Sequence, residues 1–366
     1  MDLLYLGRLK MGIRVAIAGL GNCAAALIQG VEYYKDAKKE ETIPGVMHAY
    51  FGDYHISDIE FVAAFDVNKE KIGKDVSEAI WATPNNCAKF ADVPRTGVIV
   101  QAAPIMDGVA PHMYESFNVD KTMQPVDVVQ VLKDSKADML VNYLPVGSAK
   151  ATEFYAQAAL DAGCAFVNCI PEFIASRPDW EKKFVEAGLP VAGDDIKSQV
   201  GATITHRVVS RLFYDRGVVM NSTYQLNIGG NTDFENMTVE NRLFTKRVSK
   251  TEAVQSLIPY DVPTRIGPSD FVPFLDDHKV AYIRINGHGF GNLPITCDIK
   301  LVVNDSPNSA GVVIDAIRAV KIALDRGISG SLLGISSYSF KHPPQQVPDD
   351  EAHRWVEEFI KGERDR

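Results

Sequence analysis

Cysteine is scarce in this chain of 366 residues, and no spacing pairs it: Cys23, Cys87, Cys164, Cys169 and Cys297 are odd in number and form no CxxC. A disulfide framework or zinc knot is therefore not the organising principle, and reduced, buried thiols are expected. The eight histidines include no HExxH, so no protein-built metal site is expected. No apolar run approaches the ~20 residues that a membrane span requires. The opening MDLLYLGRLKM has too short an apolar stretch and too few flanking charges for a signal peptide, and Met11 is the expected natural start. Basic charge is also in deficit. Lys and Arg number 38 against 47 Asp and Glu, a net charge of -9, which disfavours a general nucleic-acid or membrane-surface binder but leaves room for a local basic pocket. A cytoplasmic protein with neither membrane nor nucleic-acid partner is the expectation.

What is present is ordinary globular composition, 46% hydrophobic and 23% charged, on a length that suggests about two domains. The first half alternates short β-branched runs with helical stretches, as a parallel α/β sheet does. Strands are expected at 13–18, 61–65, 98–100, 139–143, 166–168 and 190–192, with helices at 24–34, 126–135 and 150–162. From about Asn221 the texture changes to strands at 222–228, 280–286 and 294–303. In the last of these Ile295, Cys297, Ile299 and Leu301 alternate with Thr296, Asp298 and Lys300, so one face packs and the other is left open. A helix with Val313, Ile317, Val320 and Leu324 on one stripe follows Ser306-Pro307 and stops at Gly327. The charged run 35–41 reads as a solvated loop.

Gly19-Leu20-Gly21-Asn22-Cys23-Ala24 fits G-x-G-x-x-G/A at the first strand–helix junction, where glycines let backbone N–H groups approach a pyrophosphate. Asp66, ending the second expected long strand, suits ribose hydroxyls and would repel a 2′-phosphate, which favours NAD over NADP; the alternative is a strand-end cap. Asp75 is a second candidate on the adenosine side, or else a surface helix residue. Ser198 to Thr203 run into a helix N-terminus, fit to hold phosphate or merely to cap the helix. Gln225 to Phe234 set carboxamides and a carboxylate around two glycines, a hydroxyl-recognition set or a hairpin turn. Lys246 and Lys250, four apart, share a face if helical, and could equally be a solvated face.

These stretches resemble the myo-inositol-1-phosphate synthase family in its short prokaryotic form. GLGNCAAALIQGVEYY, FVAAFDV, LVNYLPVGS, GDDIKSQVGATITHRV, QLNIGGNTDF, IGPSDFVPFLDDHKVAY and NDSPNSAGVVIDAIRA carry the likeness, from Ile13 to the end. The resemblance implies an α/β fold: a Rossmann-like NAD-binding domain of residues 11–200 plus 306–366, with an inserted α+β open-sheet domain, 201–305, for catalysis and tetramer contacts. It implies NAD-dependent isomerisation of glucose 6-phosphate to inositol 3-phosphate through oxidation at carbon 5, enolisation, aldol closure and reduction. Lys246, Lys250, Lys279 and Lys341 match the family's lysines, with Asp195 beside them. Lys246 would move protons at the carbon 5 oxygen, Lys279 and Lys341 would stabilise oxyanions, and Lys250, Ser198 and Gln199 would hold phosphate. Asn227 and Asn231 fall on substrate-facing motifs. Gly19, Gly21, Asn22, Asp66, Asp75, Ser135, Tyr155, Ser198, Asp233 and Asp305 are the implied cofactor neighbours. Ala24 departs from the longer eukaryotic pattern, where another glycine is common. The competing readings are an ordinary NAD-dependent dehydrogenase and a non-catalytic dinucleotide sensor.

Overall fold

The computed structural model describes residues 12–238 and 244–366, and their side chains apart from those of Phe244, Lys246, Arg247 and Pro268. Residues 1–11, with the expected start at Met11, lie outside it. The chain begins with β1 (Ile13–Ala18), α1 (Asn22–Tyr33), the two short strands β2 (Tyr50–Phe51) and β3 (Tyr54–His55), and β4 (Ile59–Asp66). It continues through α2 (Val76–Ala79), β5 (Val100–Ala102), α3 (Val128–Asp134), β6 (Met139–Asn142), α4 (Ala149–Ala162), β7 (Ala165–Asn168), α5 (Pro178–Glu186) and β8 (Pro190–Ala192). There follow α6 (Ala202–Asp215), β9 (Val219–Gly229), α7 (Thr232–Asn236), α8 (Phe244–Gln255), β10 (Thr264–Phe271), β11 (His278–His288) and β12 (Pro294–Asn304). Last come α9 (Asp305–Arg326), β13 (Gly330–Ser331), α10 (Leu333–Ser339) and α11 (Asp349–Lys361).

Seven strands form a parallel sheet in the order β13-β8-β7-β6-β1-β4-β5. Its central strands are buried on both faces because helices cover both: Ile13, Val15, Ile17, Met139 and Val141 pack on one face, and Ala16, Ala18 and Leu140 on the other. Helix α9 is the most deeply buried of the covering helices. Val313, Ile317 and Val320 are fully enclosed, and Gly327 ends the helix at φ +66°. Its Asp315–Arg318 pair is also enclosed, and Arg318 donates to the carbonyls of His48, Ala49 and Tyr54, which pins the long segment between α1 and β4. A second, four-stranded sheet runs β10-β9-β11-β12, parallel between β10 and β9 and antiparallel elsewhere. One face packs on α6 through Phe213, Met220, Ile283 and Ile285. The other carries the rows Leu226–Tyr282–Lys300 and Ile228–Val280–Val302, with Leu226, Tyr282 and Val302 exposed. Among the described residues all five cysteines are free thiols, and no helix is long and apolar enough to cross a membrane.

Candidate active site

The carboxyl ends of β1, β4, β6, β7 and β8 open into one cleft, whose other wall comes from α8, the start of β11 and the N-termini of α6 and α9. Strand order reverses direction between β1 and β6, and open parallel sheets bind ligands in the crevice at such a point. Gly19 turns there at φ +89°, and a Cβ on it would stand 2.7 Å from the Tyr143 carbonyl oxygen. Only glycine fits both demands. Gly21 caps α1 without a side chain, and a Cβ on it would meet nothing within 4 Å. The first-turn amides of α1 thus border open space, the condition for an anion to sit on a helix N-terminus. Asp66 lies at the same rim. Its carboxylate accepts the N–H groups of Leu20 at 2.8 Å, Val67 at 2.7 Å and Asn68 at 2.9 Å, with Lys71 Nζ 3.6 Å away. Asp66 is therefore both a loop clamp and a cleft residue, and the two readings offered for it are compatible. Tyr155 lines this end too, and burial pushes its phenol up.

The opposite end of the cleft is built from ion pairs. Lys341 Nζ donates to Asp195 Oδ1 and to the Ile196 carbonyl, both at 2.7 Å, while Ser249 Oγ donates to Asp195 Oδ2 at 2.5 Å. Asp195 adopts φ +63°, a region a non-glycine residue occupies only when its surroundings hold it there. Its backbone is held by Lys341, whose N–H donates to its carbonyl at 2.7 Å. Lys279 Nζ reaches Asp305 Oδ1 at 3.1 Å, across the junction of β11 with the first residue of α9. Lys250, Ser198, Asn231 and Asp233 line the same cleft.

Several residues sit otherwise than expected. Ser135 lies at the amino end of β1, where Arg14 donates to its carbonyl, so it is on the far edge of the sheet from the glycine turn. Asp75 caps α2 and accepts from Ser77, Thr96 and Gly97, so it ties the start of α2 to the segment before β5, and it does not line the cleft. Gln199 turns its amide to the Gly45 carbonyl, away from the phosphate position expected for it. Asn227 is enclosed behind the wall, where its carbonyl accepts from Gln225; its Nδ2 has no partner among the described residues. Asn22 borders the cleft, but its side chain is committed to Asn86, Cys87 and Asp277. The Lys246 side chain lies outside the described residues.

Three residues escaped the sequence reading. Ser249, one place before Lys250, is the hydroxyl on Asp195. Glu172 accepts from Gly147 N–H and Thr245 Oγ1, both at 3.1 Å, and so ties the β6–α4 loop to the start of α8. Asp277, in the quoted stretch DDHKVAY, is the joint between the two ends. Its Oδ1 accepts from Asn22 at 3.1 Å, Asn231 at 2.9 Å and Ser306 Oγ at 2.8 Å. Burial first, then the neighbouring Asp305, pushes its carboxyl up to about 6. A buried acid two residues before a cleft lysine was the available signal.

Fold and cleft define an α/β protein of Rossmann-like architecture, with a glycine turn facing a lysine–carboxylate centre. Residues 201–306 match the family model for myo-inositol-1-phosphate synthase. An inositol-3-phosphate synthase of Corynebacterium glutamicum is 59% identical over 95% of this chain and 98% of its own length; one of Mycolicibacterium smegmatis is 56% identical over 96% and 98%. The crystal structure of a synthase-related protein from Thermotoga maritima superposes with a TM-score of 0.79 at 26% identity, covering 96% of this chain and 98% of that one. The chain belongs to the myo-inositol-1-phosphate synthase family.

Proposed function

We infer that the chain isomerises D-glucose 6-phosphate to 1D-myo-inositol 3-phosphate, the first step of inositol biosynthesis, by internal oxidation, enolisation, aldol cyclisation and reduction. The observation that carries this reading is the set of cleft cations, Lys250, Lys279 and Lys341, lying across from the glycine turn with Asp195 and Asp305 interleaved. Each stage of the reaction puts negative charge on an oxygen. Fixed cations in a water-poor cleft stabilise such charge, by ~3 kcal/mol each when judged by deletion.

The open space over Gly21 and the uncapped N-terminus of α1 fit a pyrophosphate, and Asp66 stands at the ribose position, so NAD is the cofactor proposed. When bound, it supplies the reversible oxidation at carbon 5. The protein's own residues do the rest. Lys341, oriented by Asp195, and Lys279, oriented by Asp305, stabilise the oxyanions. Lys250 and Ser198 hold the phosphate, with the N–H groups at the start of α6 behind Ser198. Lys246, one helical turn before Lys250, is assigned the proton transfers at the carbon 5 oxygen. Residues 201–305 act as the inserted catalytic unit within the dinucleotide-binding domain. The open face of its sheet, with Leu226, Tyr282 and Val302 exposed, suits a homotetramer contact, and the free thiols suit the cytoplasm.

Purified protein with NAD⁺ and glucose 6-phosphate tests the reading, with the NADH absorbance and phosphorus NMR followed together. Inositol phosphate formed without NADH accumulation is expected. Stoichiometric NADH and a released ketone would mean an ordinary dehydrogenase, and silence in both channels a dinucleotide sensor.

A further inference from the structure

Lys197 stands between Asp195 and Ser198, both cleft residues, yet its side chain turns away from the cleft. It is 1% exposed and donates to the Ser337 carbonyl at 2.9 Å and to Asp349 Oδ1 at 3.4 Å. Asp349 is the first residue of α11, and its other oxygen accepts from Arg207 Nε at 3.2 Å. Arg207, wholly enclosed on α6, spreads its remaining donors over two further segments. Nη1 reaches the Ala253 carbonyl on α8 and, at 3.1 Å, Gln346 Oε1; Nη2 reaches the Val347 carbonyl at 3.0 Å. Gln346 in turn donates to the Lys341 carbonyl at 2.7 Å.

Two enclosed cations therefore share a single carboxylate directly behind the catalytic wall. Ala253 lies three residues beyond Lys250 on α8. The core thus grips the helix that carries Lys250, the backbone of Lys341, and the strand-end segment that carries Asp195. Burial, and then the nearby Arg207, pushes the Lys197 ammonium down to about 7.

We propose that Arg207, Asp349 and Lys197 are positioning residues for the isomerisation, a polar core that sets Lys250 and Lys341 against Asp195 without touching substrate. The inference rests on the assignment of those three residues to the reacting centre. The dinucleotide end is held by other contacts, so the core should govern turnover and leave cofactor affinity alone.

The test compares the full-length holoenzyme with Arg207→Lys, Lys197→Met and Lys341→Ala, measuring kcat, KM for glucose 6-phosphate, NAD⁺ affinity by calorimetry and thermal midpoint. Arg207→Lys keeps the charge but loses the fork. Its kcat is expected to fall about 10–100-fold, the scale on which small displacements of catalytic groups act, with NAD⁺ affinity within about twofold. Lys197→Met removes an enclosed ammonium, but Asp349 keeps Arg207 as its charge partner, so no carboxylate is left uncompensated and a folded variant is expected. Its kcat should fall in the same sense. Folded variants with full kcat, or a loss of kcat matched by equal loss of NAD⁺ affinity, would overturn the proposal. An inactive Lys341→Ala beside a fully active Arg207→Lys would sink the positioning core alone. Full turnover by Lys341→Ala would remove the assigned centre, and this proposal with it.

Discussion

The two ends of the cleft are built from different materials. At the glycine turn the groups offered to a ligand are main-chain amides, placed by one β-α junction and fixed by a φ that only glycine takes readily. At the lysine end they are long side chains from α8, β11 and the segment after α10, of which Lys279 and Lys341 are each held by a carboxylate from elsewhere in sequence. A main-chain site is as rigid as its sheet. A side-chain site is only as rigid as the groups behind it, and this chain spends many buried polar residues on that support.

The sharpest way to break the contrast is to remove one cation. Lys341→Ala should lower kcat by ~10²–10³, the effect of losing one preorganised charge-stabilising donor, while calorimetry finds NAD⁺ binding little changed. Equal loss of both would mean that the ends are one unit. Asp277 joins them, and its titration reports on the joint. Its folded value near 6 lies above the ~3.9 of an unfolded aspartate, so the native state holds the extra proton between those values. Unfolding free energy should fall as pH rises from 4 to 6, by at most ~1.4 kcal/mol per unit, and denaturant melts of Asp277→Asn should lack that component. Gly19→Ala probes the main-chain end. With φ +89° and a carbonyl 2.7 Å from the new Cβ, it should cost ~1–3 kcal/mol in stability and weaken NAD⁺. Turnover at saturating cofactor should stay closer to normal than in Lys341→Ala; a Gly19→Ala protein that binds NAD⁺ as before would show that the turn is not the pyrophosphate seat. Ser135→Ala, at the remote sheet edge, should change stability by less than ~0.5 kcal/mol and NAD⁺ affinity not at all, and a measured loss of affinity would contradict its placement.

Legibility followed the same divide. Strands β1 and β8 begin and end where the apolar runs predict, because strands covered on both faces are apolar almost throughout, the half-buried Arg14 of β1 being the exception. The α9 stripe and its stop at Gly327 were equally open to reading. Strand β10 was not: no strand is expected there, since Gly267-Pro268 interrupts the run, and pairing with β9 carries the strand through it with a register shift between Ile266 and Ser269. The short strand β5 lies two residues later than expected, because Val98 and Ile99 pair with the loop at Asp75 and Val76. The glycine turn was visible as local chemistry. The lysine pairs were not, since Lys341 and Asp195 stand 146 residues apart, and only resemblance brought them into one list. Even resemblance could not say that Gln199 turns to Gly45, which depends on where the long segment before β4 comes to rest.

The order in which the sheet is assembled bears on how the protein is made. Strand β8 leaves the ribosome before the whole of the four-stranded sheet, and α9, which closes the face of β1, β7 and β8, emerges only after it. At ~5–20 residues per second the interval is several seconds or more. Throughout it, the apolar strips of Ile17, Val141 and Val167 lack their covering helix. The nascent parallel sheet is therefore a natural client for a holdase, and synthesis stalled before residue 305 would yield a chain prone to aggregate.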